Sequence, residues 1–131
     1  MSAQWDRWVA QENLIGVISR VDWQADVLPF LFAGDLLLHV AEYEGLPLAI
    51  AEAMSAGLPC AVTRNFAGEI ALFNERNVLF LDDPQSLADR LRDSEVLSRI
   101  AAGGRRLVEK KLSLSAMVYA YKRLYLEAIR R

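Results

Sequence analysis

Short unbroken apolar runs alternate along this chain with longer stretches in which apolar residues return every three or four positions. The runs "NLIGVI" (Asn13 to Ile18), "DLLLHV" (Asp35 to Val40), "PCAVT" (Pro59 to Thr63) and "NVLFL" (Asn77 to Leu81) have the length of strands. Such continuous runs suit strands covered on both faces, as in a parallel sheet. Between them lie helical periods. Residues 3–12 predict a weak helix, and "DWQADVLPFLFAG" predicts one with Val27, Leu28, Leu31 and Phe32 on one side. Pro29 sits near enough to its first turn to be tolerated, and Gly34 stops it. The segment opened by Pro47 and closed by Gly57 predicts a third helix, with Ala49, Ile50, Ala53 and Met54 supplying apolar contacts. "FAGEIALF" reads as a loop running into a short helical turn. After Asp82-Asp83-Pro84 the chain is helical over roughly 84–92, 94–111 and 114–130. Gly103-Gly104 is a weak point in the second of these, and Ser113 or Ser115 caps the third.

Strands alternating with helices predict βαβ crossovers. The expected fold is therefore α/β, a Rossmann-like parallel sheet with helices on both faces, in a single domain over residues 1–131. No internal repeat or low-complexity segment interrupts it.

Composition narrows the function classes. Hydrophobic residues make up 53% and charged ones 24%, enough for a real core. The net charge of −2 argues against nucleic acid as a partner. One cysteine, Cys60, excludes an intrachain disulfide and a thiolate cluster, and one histidine, His39, makes a His-based metal site a poor expectation. The start "MSAQWDRWVAQ" does not read as a signal peptide, and the most apolar window, Val27 to Val40, is too short for a membrane span. A cytoplasmic domain is the expectation.

Chemistry concentrates in "YEGLPLAIAEAMSAGLPC", Tyr43 to Cys60. A helix start leaves amides without partners and carries partial positive charge, which suits phosphate. The amides in question are those of Leu48 and Ala49, with Gly45 letting backbone approach a ligand closely. The loop lies at the carboxyl end of the "DLLLHV" strand, where α/β folds bind ligands. Glu52 lies one turn beyond Leu48, roughly 6 Å along the axis at 1.5 Å per residue, where it can accept from a vicinal diol such as a ribose. Glu44, before the helix, can reach a hydroxyl beyond the phosphates. Amides flanked by two such acids fit a nucleotide joined to a sugar. The plainer reading is a Glu favoured near a helix N-terminus by about 0.3–1 kcal/mol or simply solvated.

The same residues resemble the signature of retaining nucleotide-sugar glycosyltransferases of family 4, which have the GT-B fold. The family pattern is an aspartate-led strand followed by E-G-x-x-x-x-x-x-E-A-M-A-x-G-x-P-V-V-A-T. It is met at Asp35, Glu44, Gly45, Glu52, Ala53, Met54, Gly57, Pro59 and Thr63. "ADVLPFLFAGDLLLHV", "DDPQSLADRLRD" and "SLSAMVYAYKRLYLEAI" are similar to further family segments, so the likeness covers about residues 13–130. "LLLHV" is also similar to bacterial lipopolysaccharide-core glucosyltransferases. The resemblance implies a donor-binding domain, the C-terminal half of a GT-B enzyme. Such an enzyme transfers a sugar from a nucleotide-diphosphate sugar to an acceptor hydroxyl, with lipopolysaccharide or another surface glycan as one product class. It implies that Glu52 binds ribose hydroxyls and that Glu44, the catalytic residue, contacts the transferred sugar. Gly45, Leu46, Leu48 and Ala49 hold phosphates and sugar, and no metal or other cofactor is required.

The chain also departs from the family. The N-terminal acceptor domain and the first strand of the donor domain, with its basic residues, are missing from the match. Val40-Ala41 replaces the usual Pro-Ser, and "NFAGEI" is shorter than the usual glycine-rich loop, with Glu69 in the place of its acid. The chain alone is thus expected to be inactive. It is either a donor module whose acceptor domain is supplied elsewhere, a non-catalytic nucleotide-sugar-binding subunit, or a degenerate module without ligand. An exposed sheet edge would invite a homodimer.

Six further positions are read one by one. His39 is a buried, hydrogen-bonded side chain or a contact to donor sugar. Cys60 is a small core residue. Arg64 either meets phosphate or is solvated. Trp5, Trp8 and Trp23 pack or cover surface rather than stack on a base. In the last helix Met117, Tyr121, Leu124 and Ala128 form one apolar stripe, and Lys110, Lys111, Lys122, Arg123, Arg130 and Arg131 make this end basic. That stripe packs on its own domain or on an acceptor domain. A peripheral position at the inner face of a membrane is the second reading.

Overall fold

The structure, a computed structural model, describes residues 2–64 and 73–130. Its elements run α1 (Ser2–Gln11), α2 (Leu28–Ala33), β1 (Leu37–His39), α3 (Leu48–Ala56), β2 (Cys60–Val62), β3 (Leu79–Phe80), α4 (Pro84–Leu91), α5 (Ser94–Leu107), a π-helical turn (Val108–Leu112) and α6 (Leu114–Ile129). The three strands form one parallel sheet in the order β1-β2-β3, with Leu37 opposite Cys60 and Ala61 opposite Leu79. This is the α/β architecture that the alternating pattern predicts.

Strand alternation divides the core into two layers. Cys60, Val62, Val78 and Phe80 face one side, where Ile50, Ala53 and Met54 of α3 cover them together with Leu58 and Phe73. Ala61 and Leu79 face the other, against Ile100 of α5 and flanked by Leu87 and Leu91 of α4. Helices therefore lie on both faces. β2, buried at all three positions, is the central strand.

Local sequence explains the boundaries. Gly57, at φ +83°, takes the left-handed conformation that ends α3, and its amide donates to the Ala53 and Met54 carbonyls. The Asp83 carboxylate caps α4 by accepting from the Ser86 amide at 2.6 Å, and Pro84 follows as the first helical residue. Asp93 caps α5 through the amides of Glu95 and Val96. Of the two serines offered for α6, Ser113 is the cap: its hydroxyl accepts from the Ala116 amide at 3.2 Å.

Five expectations are corrected. The run Asn13–Ile18 is not a strand. Asn13 (φ 55°) and Gly16 (φ 80°) turn the chain, the Val17 and Ile18 amides both bond to the Leu14 carbonyl, and a single bridge joins Ile15 to Ile18. Backbone groups satisfied within the turn leave none for a ladder. Second, α2 begins only at Leu28, where the Asp26 carboxylate accepts its amide at 3.0 Å. Third, β1 is an edge strand among the described residues, so Leu38 is 57% exposed rather than buried on both faces. Fourth, the helical stretch expected over 94–111 is present but changes character after Leu107, where α5 passes into the π-helical turn.

The fifth correction concerns the glycine pair of α5, which is no weak point. The helix starts against one face of the sheet with Val96, Leu97 and Ile100 and ends against the other with Leu107, followed there by Val108 of the π-helical turn. Where it passes the sheet, a Cβ on Gly103 would overlap the Arg76 carbonyl, and one on Gly104 would lie 2.8 Å from Met54 Cγ. The glycines permit close approach.

α6 buries no residue. Met117, Tyr121 and Leu124 of the expected stripe are about half exposed, so the stripe does not pack on its own domain. No helix among the described residues is long and apolar enough to cross a membrane. Glu69, Arg131 and most of the "FAGEIALF" segment lie outside the described residues.

Candidate functional site

The site grows from the carboxyl end of β1. Its last residue is His39, and the chain then loops over residues 40–47 before entering α3. Thr63, just past β2, holds the root of that loop. Its hydroxyl donates to the Ala41 carbonyl at 2.5 Å and accepts from the Ala41 amide at 3.2 Å, while its own amide reaches the His39 carbonyl at 3.3 Å. The loop then folds back so that Glu44 Oε1 lies 3.3 Å from His39 Nε2. Both side chains are partly buried. His39 is thus neither a sealed core residue nor a solvated one: it sits against the acid that the sequence singles out.

Pro47 is buried and is the residue before the helix, not its first position. Its ψ of 99° is extended, and its carbonyl accepts from the amides of Ile50 (3.1 Å) and Ala51 (3.3 Å). The shift by one residue leaves the expectation about donors intact. The amides of Leu48 and Ala49 make no hydrogen bond among the described residues, and no side chain caps them. Both residues are exposed, so these amides and the positive end of the helix dipole face open space. Gly45 has no left-handed φ, and a Cβ there would touch nothing within 4 Å. Its role is free space beside the loop, not a special turn. Leu46 and Tyr43, both exposed, complete the rim.

Glu52 is exposed on α3. At 100° per residue it stands almost opposite Ile50, Ala53 and Met54, on the outer stripe with Leu48 four positions before it. Its carboxylate makes no hydrogen bond or ion pair among the described residues. The structure therefore gathers His39, Glu44, Gly45, Leu46, Leu48 and Ala49 in one loop and helix start, with Glu52 one turn along. Thr63 is the positioning residue that spacing alone did not single out. Its signal was the strand-end threonine of the motif, whose partner is visible only once β1 and β2 pair.

Arg64 is exposed, as the second of its readings has it, and it is also paired. Its guanidinium grips Asp82 through two hydrogen bonds of 2.8 and 2.5 Å, approaches Glu75 at 3.8 Å and lies 4.0 Å over the Phe80 ring. Its hydrogen bond holds the Asp82 carboxyl below the usual carboxylate range. A phosphate at this position would have to compete with a bidentate pair. Cys60 is a core residue, as expected: burial pushes its thiol up to about 12. Among the described residues no cluster of His, Cys, Asp and Glu forms a metal site. Trp5 and Trp8 pack on each other at 5.4 Å, and Trp23 lies on the surface.

Known proteins resemble this chain in sequence and in fold. The family model described as glycosyl transferases group 1 matches residues 2–94. A UDP-Gal:alpha-D-GlcNAc-diphosphoundecaprenol alpha-1,3-galactosyltransferase of Escherichia coli is 30% identical over 122 residues, covering 89% of this chain and 32% of its own length. Sucrose-phosphate synthase from Thermosynechococcus elongatus superposes over 98% of this chain and 34% of its own, at TM-score 0.76 and 21% identity. The C-terminal domain of a glycosyl transferase group 1 family protein from Francisella tularensis covers 86% of this chain and 63% of its own, at TM-score 0.65 and 22% identity. The likeness in structure is one of fold, and it is the GT-B likeness that the sequence motifs imply. The chain spans about a third of the length of the curated galactosyltransferase. With its motif residues gathered at one strand end and a family model matched over most of its length, this chain belongs to the group 1 glycosyl transferases.

Proposed function

We propose that this chain is the donor-binding domain of a glycosyltransferase that moves a sugar from a nucleotide diphosphate to an acceptor hydroxyl. The observation that carries the reading is the pair of unpartnered amides at Leu48 and Ala49, set between a partly buried Glu44 and an exposed Glu52. In this reading the amides and the helix dipole hold the diphosphate. Glu52 accepts from the ribose hydroxyls. Glu44, oriented by His39 and by the Thr63 clip, accepts from a hydroxyl of the transferred sugar. The bond from the anomeric carbon to the diphosphate oxygen breaks as the acceptor oxygen bonds to that carbon, and the acceptor's proton passes to the departing phosphate. The acceptor half is contributed by sequence outside these 131 residues or by a separate subunit.

The E. coli relative, named for UDP-galactose and a diphosphoundecaprenol-linked acceptor, makes UDP-galactose the first donor to try. Calorimetry with UDP-galactose and a panel of other nucleotide-sugars tests the reading. Glu52→Ala is expected to weaken both the nucleotide-sugar and its bare nucleoside diphosphate at least about tenfold, or 1.4 kcal/mol. Glu44→Gln should weaken only the nucleotide-sugar. Failure of every nucleotide-sugar to bind would leave a degenerate module that keeps the fold alone.

A further inference from the structure

A cleft of about 850 Å³ opens at the turn leading into β3, lined by Asn74, Glu75, Arg76, Arg99 and Arg106. Three arginines line it, and the backbone brings them together. Arg99 and Arg106 are seven residues apart on α5, close to two full turns, and so share a face. Gly103 lies between them on that face and lets the helix press onto the Arg76 carbonyl. The turn itself is locked. The Asn77 side-chain oxygen accepts from the Asn74 amide at 2.9 Å, the Asn74 side-chain oxygen accepts from the Arg76 amide at 3.0 Å, and the Asn74 carbonyl takes the Asn77 and Val78 amides.

Charge is unbalanced at this place. Arg64, Arg92, Arg105 and Arg123 each meet a carboxylate within 4 Å. Arg76, Arg99 and Arg106 make no ion pair among the described residues. Glu75, the cleft's one carboxylate among the described residues, lies 3.8 Å from Arg64. Among the described residues, three arginines against one glutamate favour a ligand carrying about two negative charges. The planar guanidinium suits phosphate oxygens, which it can hold through paired hydrogen bonds.

We propose that this cleft binds a phosphate-bearing group, at a site distinct from the loop and helix start at residues 44–52. It stands at the amino-terminal end of β3, whereas that loop follows the carboxyl end of β1. A free diphosphate and a phospholipid headgroup share the required chemistry.

Proton–nitrogen correlation NMR of the chain, titrated with inorganic pyrophosphate, tests the site by position. The side-chain Nε–H signals of Arg76, Arg99 and Arg106 should shift saturably. In the double variant Arg99→Gln, Arg106→Gln, which keeps helix propensity, the affinity read at Arg76 should fall roughly tenfold or more. Arg105→Gln, whose guanidinium pairs with Glu109 outside the cleft, should leave it unchanged. Co-sedimentation with phosphatidylglycerol vesicles separates the sources. Vesicle binding lost in the double variant assigns a lipid headgroup, and pyrophosphate binding without vesicle binding assigns a free diphosphate. Absence of a saturable shift at the three arginines, or an equal loss in Arg105→Gln, overturns the proposal. The Leu48 and Ala49 amides report the donor site separately in the same spectra.

Discussion

Cys60 shows how much a single side chain reveals once its surroundings are known. Its sulfur lies in the first core layer, 3.5 Å from the Leu58 carbonyl, and burial raises its pKa from 9.0 to about 12. A raised folded pKa means that the folded state keeps a proton that the unfolded chain gives up. Stability from this group is therefore complete below about pH 9 and is lost as pH rises toward 12, by about 1.4 kcal/mol per pH unit. Urea unfolding at about pH 8 and about pH 11 should show wild type losing roughly 3 kcal/mol more than Cys60→Ala. Equal losses would mean that the thiol is not sealed in the native state. The chain's composition named Cys60 a core residue correctly, but it gave Arg64 no partner. Asp82 and Glu75 stand 18 and 11 positions further on, and only pairing of β2 with β3 brings them beside it. The place of Glu52 was legible because helix geometry alone relates it to the amides of Leu48 and Ala49. The contact of Glu44 with His39 was not, since it depends on the path of an eight-residue loop, 40–47.

Elements were read best where their ends carry their own chemistry. α3 stops at Gly57 and α4 and α5 start at residues 84 and 94, as the sequence has them, while the aspartate caps of Asp83 and Asp93 were not singled out. The run Asn13–Ile18 failed because apolar content says strand while Asn13 and Gly16 adopt left-handed turns. α5 failed differently. In an exposed helix interior Gly→Ala is worth about 1 kcal/mol of added stability, which is why a glycine pair reads as weakness. At Gly103 the sign reverses, since a methyl group would collide with the Arg76 carbonyl and neither backbone can yield cheaply. Gly103→Ala should destabilise by about 1–3 kcal/mol in urea unfolding. Gly104→Ala, which meets only the flexible Met54 side chain, should cost less. A stabilised Gly103→Ala would show that α5 does not press on the β3 turn.

At the scale of the molecule, the two core layers sit around β2 and owe nothing to α6. That helix carries Leu114, Met117, Val118, Tyr121, Leu124, Tyr125 and Ile129 exposed along one side, and its principal contact is with the π-helical turn before it. A chain ending after Ser113 should therefore keep its urea midpoint, with unfolding free energy changed by less than about 1 kcal/mol. A larger loss would place α6 in the core. The sixteen residues of α6 are a marginal length for a helix that packs on little, so far-ultraviolet dichroism should fall by α6's share and no more.

Periodicity and punctuation by themselves determined the α/β class, the parallel sheet with helices on both faces and the ends of several helices. These depend on neighbours a few residues apart, whose geometry the chain's own stereochemistry fixes. Only the tertiary structure decided which strand is the edge, that Asn13–Ile18 turns, that Thr63 pins the loop bearing Glu44, and that three arginines face one cleft. Those outcomes arise from contacts between distant segments, and nothing in a local pattern says which carbonyl a glycine 27 positions away will meet.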